Sequence, residues 1–198
     1  MKRPTPLEAA RAVNRLGYDT IAPRWDVARV RLSNAELRLF DLLLREATPG
    51  AWVLDLGCGT GRPIAQHVLA RQFAVTGVDQ SEGMLSFARS RMPGAEWIHS
   101  TLEQFVPQVT YCAVIAWDSL FHIPRQEHLS LFRSVRGALA PGGRFVLTVG
   151  GSEHPAFTSE VFGQMLFFDS HSPEQAIALL QESGFEVEHS EFLDQPTL

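Results

Sequence analysis

Apolar residues fall into short unbroken runs separated by stretches in which they recur every third or fourth position. The runs 51–56 (AWVLDL), 74–79 (AVTGVD), 95–100 (AEWIHS), 111–117 (YCAVIAW), 143–149 (GRFVLTV) and 185–192 (FEVEHSEF) read as strands. An unbroken apolar run bounded by turn residues suits a strand buried on both faces. Strands alternating with helical patterns predict a doubly wound α/β fold, a mostly parallel sheet with helices on both faces.

The helices announce their own ends. Ser33 with Glu36 forms a capping box ahead of the stripe Leu37, Phe40, Leu43 and Leu44, which stops at Pro49-Gly50. Pro63 stands where a first helical residue belongs, and Ser81 can cap the helix carrying Met84, Leu85 and Ala88. Pro124 opens a helix with Leu129, Phe132, Val135 and Leu139 on one side, which Pro141-Gly142-Gly143 closes. Ser172-Pro173 starts another, and Gly184 caps its end.

The 198 residues, 45% of them hydrophobic, suit a single domain over 1–198 with a real core. Within it we read a helical lid or cap over 1–48, a ligand-binding core over 49–150, an insertion over 151–171 and a C-terminal helix and strand over 172–198. The insertion is rich in aromatic and small polar residues without a clean period. It is either a cover over the active face, with a strand at Met165–Phe168, or an ordinary long connection.

A net charge of −5 opposes a surface built to bind nucleic-acid phosphates, and no window approaches the apolar length of a membrane span. With no signal-peptide pattern, a soluble, cytoplasmic protein is expected, with no nucleic-acid or membrane partner. Cys58 and Cys112 fall at opposite ends of neighbouring predicted strands, too far apart for a disulfide, and two thiols are too few for a metal cluster. The histidines at 67, 99, 128, 154, 171 and 189 lack zinc-site spacing, so no metal is expected.

Candidate chemistry concentrates where the first run breaks into VLDLGCGTG, residues 53–61. A strand ending in glycines and feeding a helix presents backbone N–H groups and the positive end of the helix dipole to a nucleotide-like ligand. The dinucleotide pattern G-x-G-x-x-G would need glycine at position 62, where Arg62 stands. No G-x-S-x-G elbow is present either.

This stretch resembles the first motif of the class I S-adenosylmethionine-dependent methyltransferases, whose fold is Rossmann-like. VTGVDQSEGML (75–85) resembles that family's second strand with its terminal acid, and LAPGGRFVLTVG (139–150) its turn and fifth strand. VIAWDSLFHIP (114–124) and GRPIA (61–65) resemble a bacterial small-molecule subgroup. The resemblance implies S-adenosylmethionine as cofactor, S-adenosylhomocysteine as product, and a small-molecule acceptor. It places Gly57, Cys58 and Gly59 against the methionine part and lets Asp55 reach the amino group. Asp79 would hold both ribose hydroxyls, while Gln80 and Met84 would flank the adenine; Thr101, Leu102, Trp117 and Tyr18 complete the cofactor contacts.

Methyl transfer needs in-line positioning and, for weak nucleophiles, a base. His122 is the candidate base or acceptor contact, or else a histidine packed beside Phe121. Asp118 either orients His122 or caps the helix near Pro124. Tyr18 and Trp25, in GYDTIAPRWD, resemble the amino-terminal lid, with Arg29 as a carboxylate contact; ordinary aromatic packing is the alternative.

Three departures from the family stand out. The third strand lacks the family's adenine-binding acid, for which Ser100 or Glu103 can substitute. The fourth begins Tyr111-Cys112 rather than with an aromatic-Asp pair. The family's final antiparallel strand is missing or replaced, by Met165–Phe168 for example. A cofactor-binding module without catalysis is therefore the alternative function, and an NAD(P)-dependent oxidoreductase a third.

Overall fold

The computed structural model describes residues 6–151 and 154–193. Two helices lead, α1 (Pro6–Ala28) and α2 (Asn34–Leu44). The core follows as β1 (Trp52–Leu56), α3 (Ile64–Ala70), β2 (Ala74–Asp79), α4 (Glu82–Arg91), β3 (Glu96–His99) and β4 (Tyr111–Ala116). Two 3₁₀ turns, Leu120–His122 and Arg125–Glu127, lead into α5 (His128–Ala138), β5 (Leu139–Leu147), a hairpin of β6 (Phe157–Val161) and β7 (Gln164–Phe168), and α6 (Pro173–Glu182).

Five parallel strands form the main sheet in the order β3-β2-β1-β4-β5. The order reverses between β1 and β4, and ligands of open α/β sheets bind at such a point, beyond the carboxyl ends of the strands. Leu54, Leu56 and Val114 pack on one face with Leu131, Phe132 and Val135 of α5 and Leu180 of α6. Val53, Val75 and Ile115 pack on the other with Phe40 and Leu43 of α2 and Ala65 and Val68 of α3. Burying a Leu or Phe side chain in such a layer contributes roughly 1.5–3 kcal/mol.

The helix ends follow their sequence signals. Ser33 and Glu36 make the complete capping box, Ser81 caps α4, and Ser172 caps α6. Such caps are worth about 1 kcal/mol each. Gly184, with φ of +85°, turns the chain out of α6.

Three expectations change. Residues 185–192 form no strand: Phe185 and Val187 pack against the core, but the segment makes no ladder with β5. Its alternation suits a half-buried strand, and a strand needs a partner as well as a pattern. Met165–Phe168 does form a strand, yet it pairs antiparallel with β6 in a separate two-stranded sheet and supplies nothing to the main one. Within 1–48 only α1 covers the ligand end; α2 belongs to the sheet's own packing.

Candidate active site

The cleft at the switch point opens between the β1–α3 loop and the inner face of α1. It is open to solvent on one side. Gly57 and Gly59 form its floor and Tyr18 and Trp25 its roof. Gly57 has φ of +79°, and a Cβ there would collide with Ser119, whose hydroxyl donates to the Leu56 carbonyl at 2.8 Å. A Cβ on Gly59 would stand 3.6 Å from the Trp25 indole nitrogen, facing the space a ligand needs.

The loop's amides are largely consumed within the protein. Those of Gly57 and Cys58 donate to the Val78 carbonyl at 2.8 and 3.1 Å, and that of Gly59 to an Asp79 oxygen at 2.9 Å. The expected cradle of free N–H groups therefore does not exist, because the carboxylate at the end of β2 turns back and satisfies the loop. This loop holds sugar and sulfur chemistry better than a pyrophosphate, which would need those donors.

Buried carboxylates dominate the electrostatics. Burial and the neighbouring Asp79 push the Asp55 carboxyl up to about 7. Burial raises Asp79 to about 6, against the lowering effect of its bonds from Ser81 and Gly59. One oxygen of Asp55 and the Thr101 hydroxyl are buried without a hydrogen-bond partner. Such orphans cost roughly 1–3 kcal/mol each unless a ligand satisfies them.

Over the cleft, Tyr18 and His122 form a pair. His122 Nδ1 lies 2.9 Å from the Phe167 carbonyl and Nε2 2.6 Å from the Tyr18 hydroxyl. A carbonyl only accepts, so Nδ1 carries the proton, and the bare Nε2 accepts from the phenol. Burial lowers the His122 pKa to about 4, opposed by the bond to Phe167. Burial, with help from Asp79 and Asp118, holds the Tyr18 phenol well above its usual range. Both groups are neutral at pH 7.

Asn14, fully buried on α1, braces this pair. Its amide nitrogen donates to the His122 and Phe167 carbonyls, each at 3.1 Å, and its oxygen accepts from the Phe167 amide at 2.7 Å. Asp19 fastens the same helix to the start of α4, accepting from Ser81 Oγ at 2.6 Å and the Gly83 amide at 2.9 Å. Lower down, Asp26 pairs with Arg91 at 2.7 Å, and Arg91 reaches the Thr60 carbonyl at 3.2 Å. None of these was singled out by pattern; the one sequence signal is a set of polar residues on an otherwise apolar helix face.

The comparisons agree with this geometry. A family described as "Methyltransferase domain" matches residues 53–143. The 27-O-demethylrifamycin SV methyltransferase of Amycolatopsis mediterranei is 28% identical, over 100% of this chain and 80% of that protein. The trans-aconitate 2-methyltransferase of Acidovorax ebreus is 30% identical over 81% of this chain, which spans 65% of that enzyme's length. The chain is thus similar to methyltransferases, above all over its sheet core. Solved structures share the methyltransferase fold. A DhpI complex superposes with a TM-score of 0.69 at 22% identity, covering 92% of this chain and 91% of that one. The magnesium protoporphyrin IX methyltransferase of Synechocystis PCC 6803 gives 0.70 at 16%, covering 99% and 94%.

Of the residues read from sequence, the structure gathers Tyr18, Gly57, Gly59 and Asp79 around the methyltransferase cleft. Gln80, Met84, Thr101 and Leu102 line its far end beside Glu103, which is paired with Arg11 at 3.2 Å. Asp118 and His122 stand near the glycines.

Others are placed elsewhere. Trp117 packs on Phe40, ring centroids 5.2 Å apart, and lines a different cavity. The Cys58 thiol points away from the cleft toward Gly77 and Trp97, and burial raises its pKa well above the usual value. Asp55 lies beneath the loop and its side chain forms no part of the wall. Asp118 neither orients His122, whose ring nitrogens are both engaged, nor caps a helix, since Ser119 and Pro124 hold the cap positions. It interacts with Arg29 at 3.7 Å and Thr148 at 3.4 Å. Arg29 is bound to Glu36 as well and so is not a free carboxylate contact.

Proposed function

We propose that the protein transfers a methyl group from S-adenosylmethionine to a small-molecule acceptor. The observation that carries this reading is the buried Thr101 hydroxyl, without a partner in a cleft floored by Gly57 and Gly59 and roofed by Tyr18 and Trp25. When bound, the cofactor supplies an activated methyl on a sulfonium whose sulfur keeps the bonding pair and leaves as a neutral thioether.

The chain's own residues do the rest. Asp79, with one lone pair per oxygen already engaged, holds the ribose with those remaining; Thr101 offers its hydroxyl to the adenine end, and Asp55 supports the loop from beneath. Tyr18 and Trp25 close over the glycines and exclude water, which strengthens the polar contacts beneath them. His122 serves chiefly to position: with a pKa near 4 it is a weak base, and its lone pair fixes the Tyr18 phenol over the cleft. Asp118 accepts the hydrogen bond of the acceptor's hydroxyl or amine and takes its proton as the new bond forms. We further infer that the reaction takes place in the cytoplasm, from the two free thiols, and that the acceptor is not a nucleic acid, because Arg11 in the cleft and Arg29 beside Asp118 are both bound to carboxylates.

Calorimetric titration with S-adenosylhomocysteine, and with NAD in parallel, tests the reading. Saturable binding of the former alone is expected, lost in Asp79→Ala with the fold intact. Binding of NAD, or unchanged affinity in the variant, would refute it.

A further inference from the structure

Asp118 lines two cavities, the cofactor cleft and a second, larger one that is open to solvent. The second runs from Asp118 and Phe121 past the carboxyl end of β5 to Ile177 of α6 and Phe192. Its walls are mainly apolar, Val146, Ile177 and Leu180 among them. The polar side chains along it are Asp118, Thr148, His189, Ser190 and Glu191, and the described lining includes no arginine or lysine.

Nearby cations are already matched. Glu191 is bound to Arg38 at 2.5 Å. Arg29 lies against both Glu36 and Asp118, so these three side chains together carry one net negative charge. At the junction itself Asp118 has φ of +52°, and its amide donates to Thr148 Oγ1 at 2.7 Å. A non-glycine residue held in the left-handed region at a cavity junction is strain of the kind stored at functional sites.

On the methyl-transfer reading, the acceptor reaches the cleft through this second cavity. We propose that the acceptor is an elongated, largely apolar molecule whose methylated hydroxyl or amine is its polar end, held by Asp118, and that polycarboxylates are excluded. A carboxylate brought to about 4 Å from Asp118 meets repulsion that weakens binding by roughly fivefold in a water-like medium and by more where water is excluded. Arg29, 3.7 Å from Asp118, offsets only part of it because the same guanidinium is shared with Glu36. A hydroxyl or amine instead donates to Asp118 while its apolar body leaves water. This separates the chain from its trans-aconitate-methylating relatives in acceptor, though not in cofactor.

The test begins with S-adenosylhomocysteine alone, whose failure to bind would overturn the methyl-transfer reading and this proposal with it. With that ligand saturating, 4-butylphenol, 4-butylaniline and trans-aconitate are titrated in turn. The two aryl probes are expected to bind at least about fivefold more tightly than trans-aconitate. Ile177→Trp, which narrows the cavity, should weaken aryl binding while leaving S-adenosylhomocysteine affinity unchanged. Phe192→Asp, at a side chain 62% exposed and therefore tolerant of change, should weaken it by about tenfold without disturbing the fold. Preference for trans-aconitate, binding of none of the three, or aryl binding indifferent to both substitutions would each overturn the acceptor class while leaving the cofactor reading intact.

Discussion

Replacing Asn14 by Ala removes three hydrogen bonds at once, and the structure says which groups are left behind. The Phe167 carbonyl still receives the proton on His122 Nδ1. The Phe167 amide loses its side-chain acceptor and the His122 carbonyl its side-chain donor. Two buried groups at about 1–2 kcal/mol each give a cost of about 2–4 kcal/mol, a substantial share of the 5–15 kcal/mol that holds a domain folded. For a chain of this length the melting temperature should fall by about 5–12 °C if unfolding is global. The loss is concentrated where β7 meets α1, so hydrogen exchange followed by mass spectrometry should show the 157–168 peptides opening first. Asn14→Asp, which keeps the acceptor but not the donors, should restore protection at the Phe167 amide alone. A melting temperature within about 1 °C of wild type, with unchanged exchange over the hairpin, would refute the bracing role.

Three further outcomes are expected. NMR of the ring nitrogens should show His122 as the Nδ1–H tautomer from pH 5 to 8. In Tyr18→Phe its pKa should rise from about 4, because the lost phenol favours the neutral ring; a wild-type ring titrating near its ordinary value would contradict the pair. Asp55, raised to about 7, favours the fold fully only below the ordinary carboxylate range and loses that contribution as pH rises through 7. The melting temperature of wild type minus that of Asp55→Asn should therefore fall between pH 5 and 8, and a flat difference would remove the shift. Gly57→Ala combines a collision with Ser119 and a left-handed backbone, and should cost more than about 2 kcal/mol by denaturant unfolding. Gly94→Ala, in open space, should stay within about 0.5 kcal/mol; similar values for the two would sink the steric argument.

The core of the fold was legible because its signals are local. Unbroken runs such as Val53–Leu56 and Ala113–Ala116 are buried on both faces, and Ser33, Ser81 and Ser172 cap the helices they precede. Residues 185–192 mislead for the opposite reason, since alternation states which face is wet but not whether a neighbouring strand exists. Trp117 was drawn into the cofactor site by its place beside Asp118, yet successive side chains at a strand end face opposite ways, and its ring lies on Phe40. Asn14 showed only as a polar residue on an apolar helix face, and its role could not be read because its partners are 108 and 153 residues away. The glycine spacing showed that the backbone needs clearance. That Asp79 would claim the Gly59 amide depends on how β1 and β2 lie side by side, which no single segment records.

The fastenings of α1 also govern traffic. With Asn14 tied to the hairpin, Asp19 to α4 and Asp26 to Arg91, the helix cannot swing away as a flap without breaking all three anchorages. The Arg11–Glu103 pair, its arginine 23% and its glutamate 9% exposed, stands at the far end of the cleft, beyond these anchorages. An acceptor entering beside Asp118 uses a different door. Arrival of one ligand then need not wait on departure of the other.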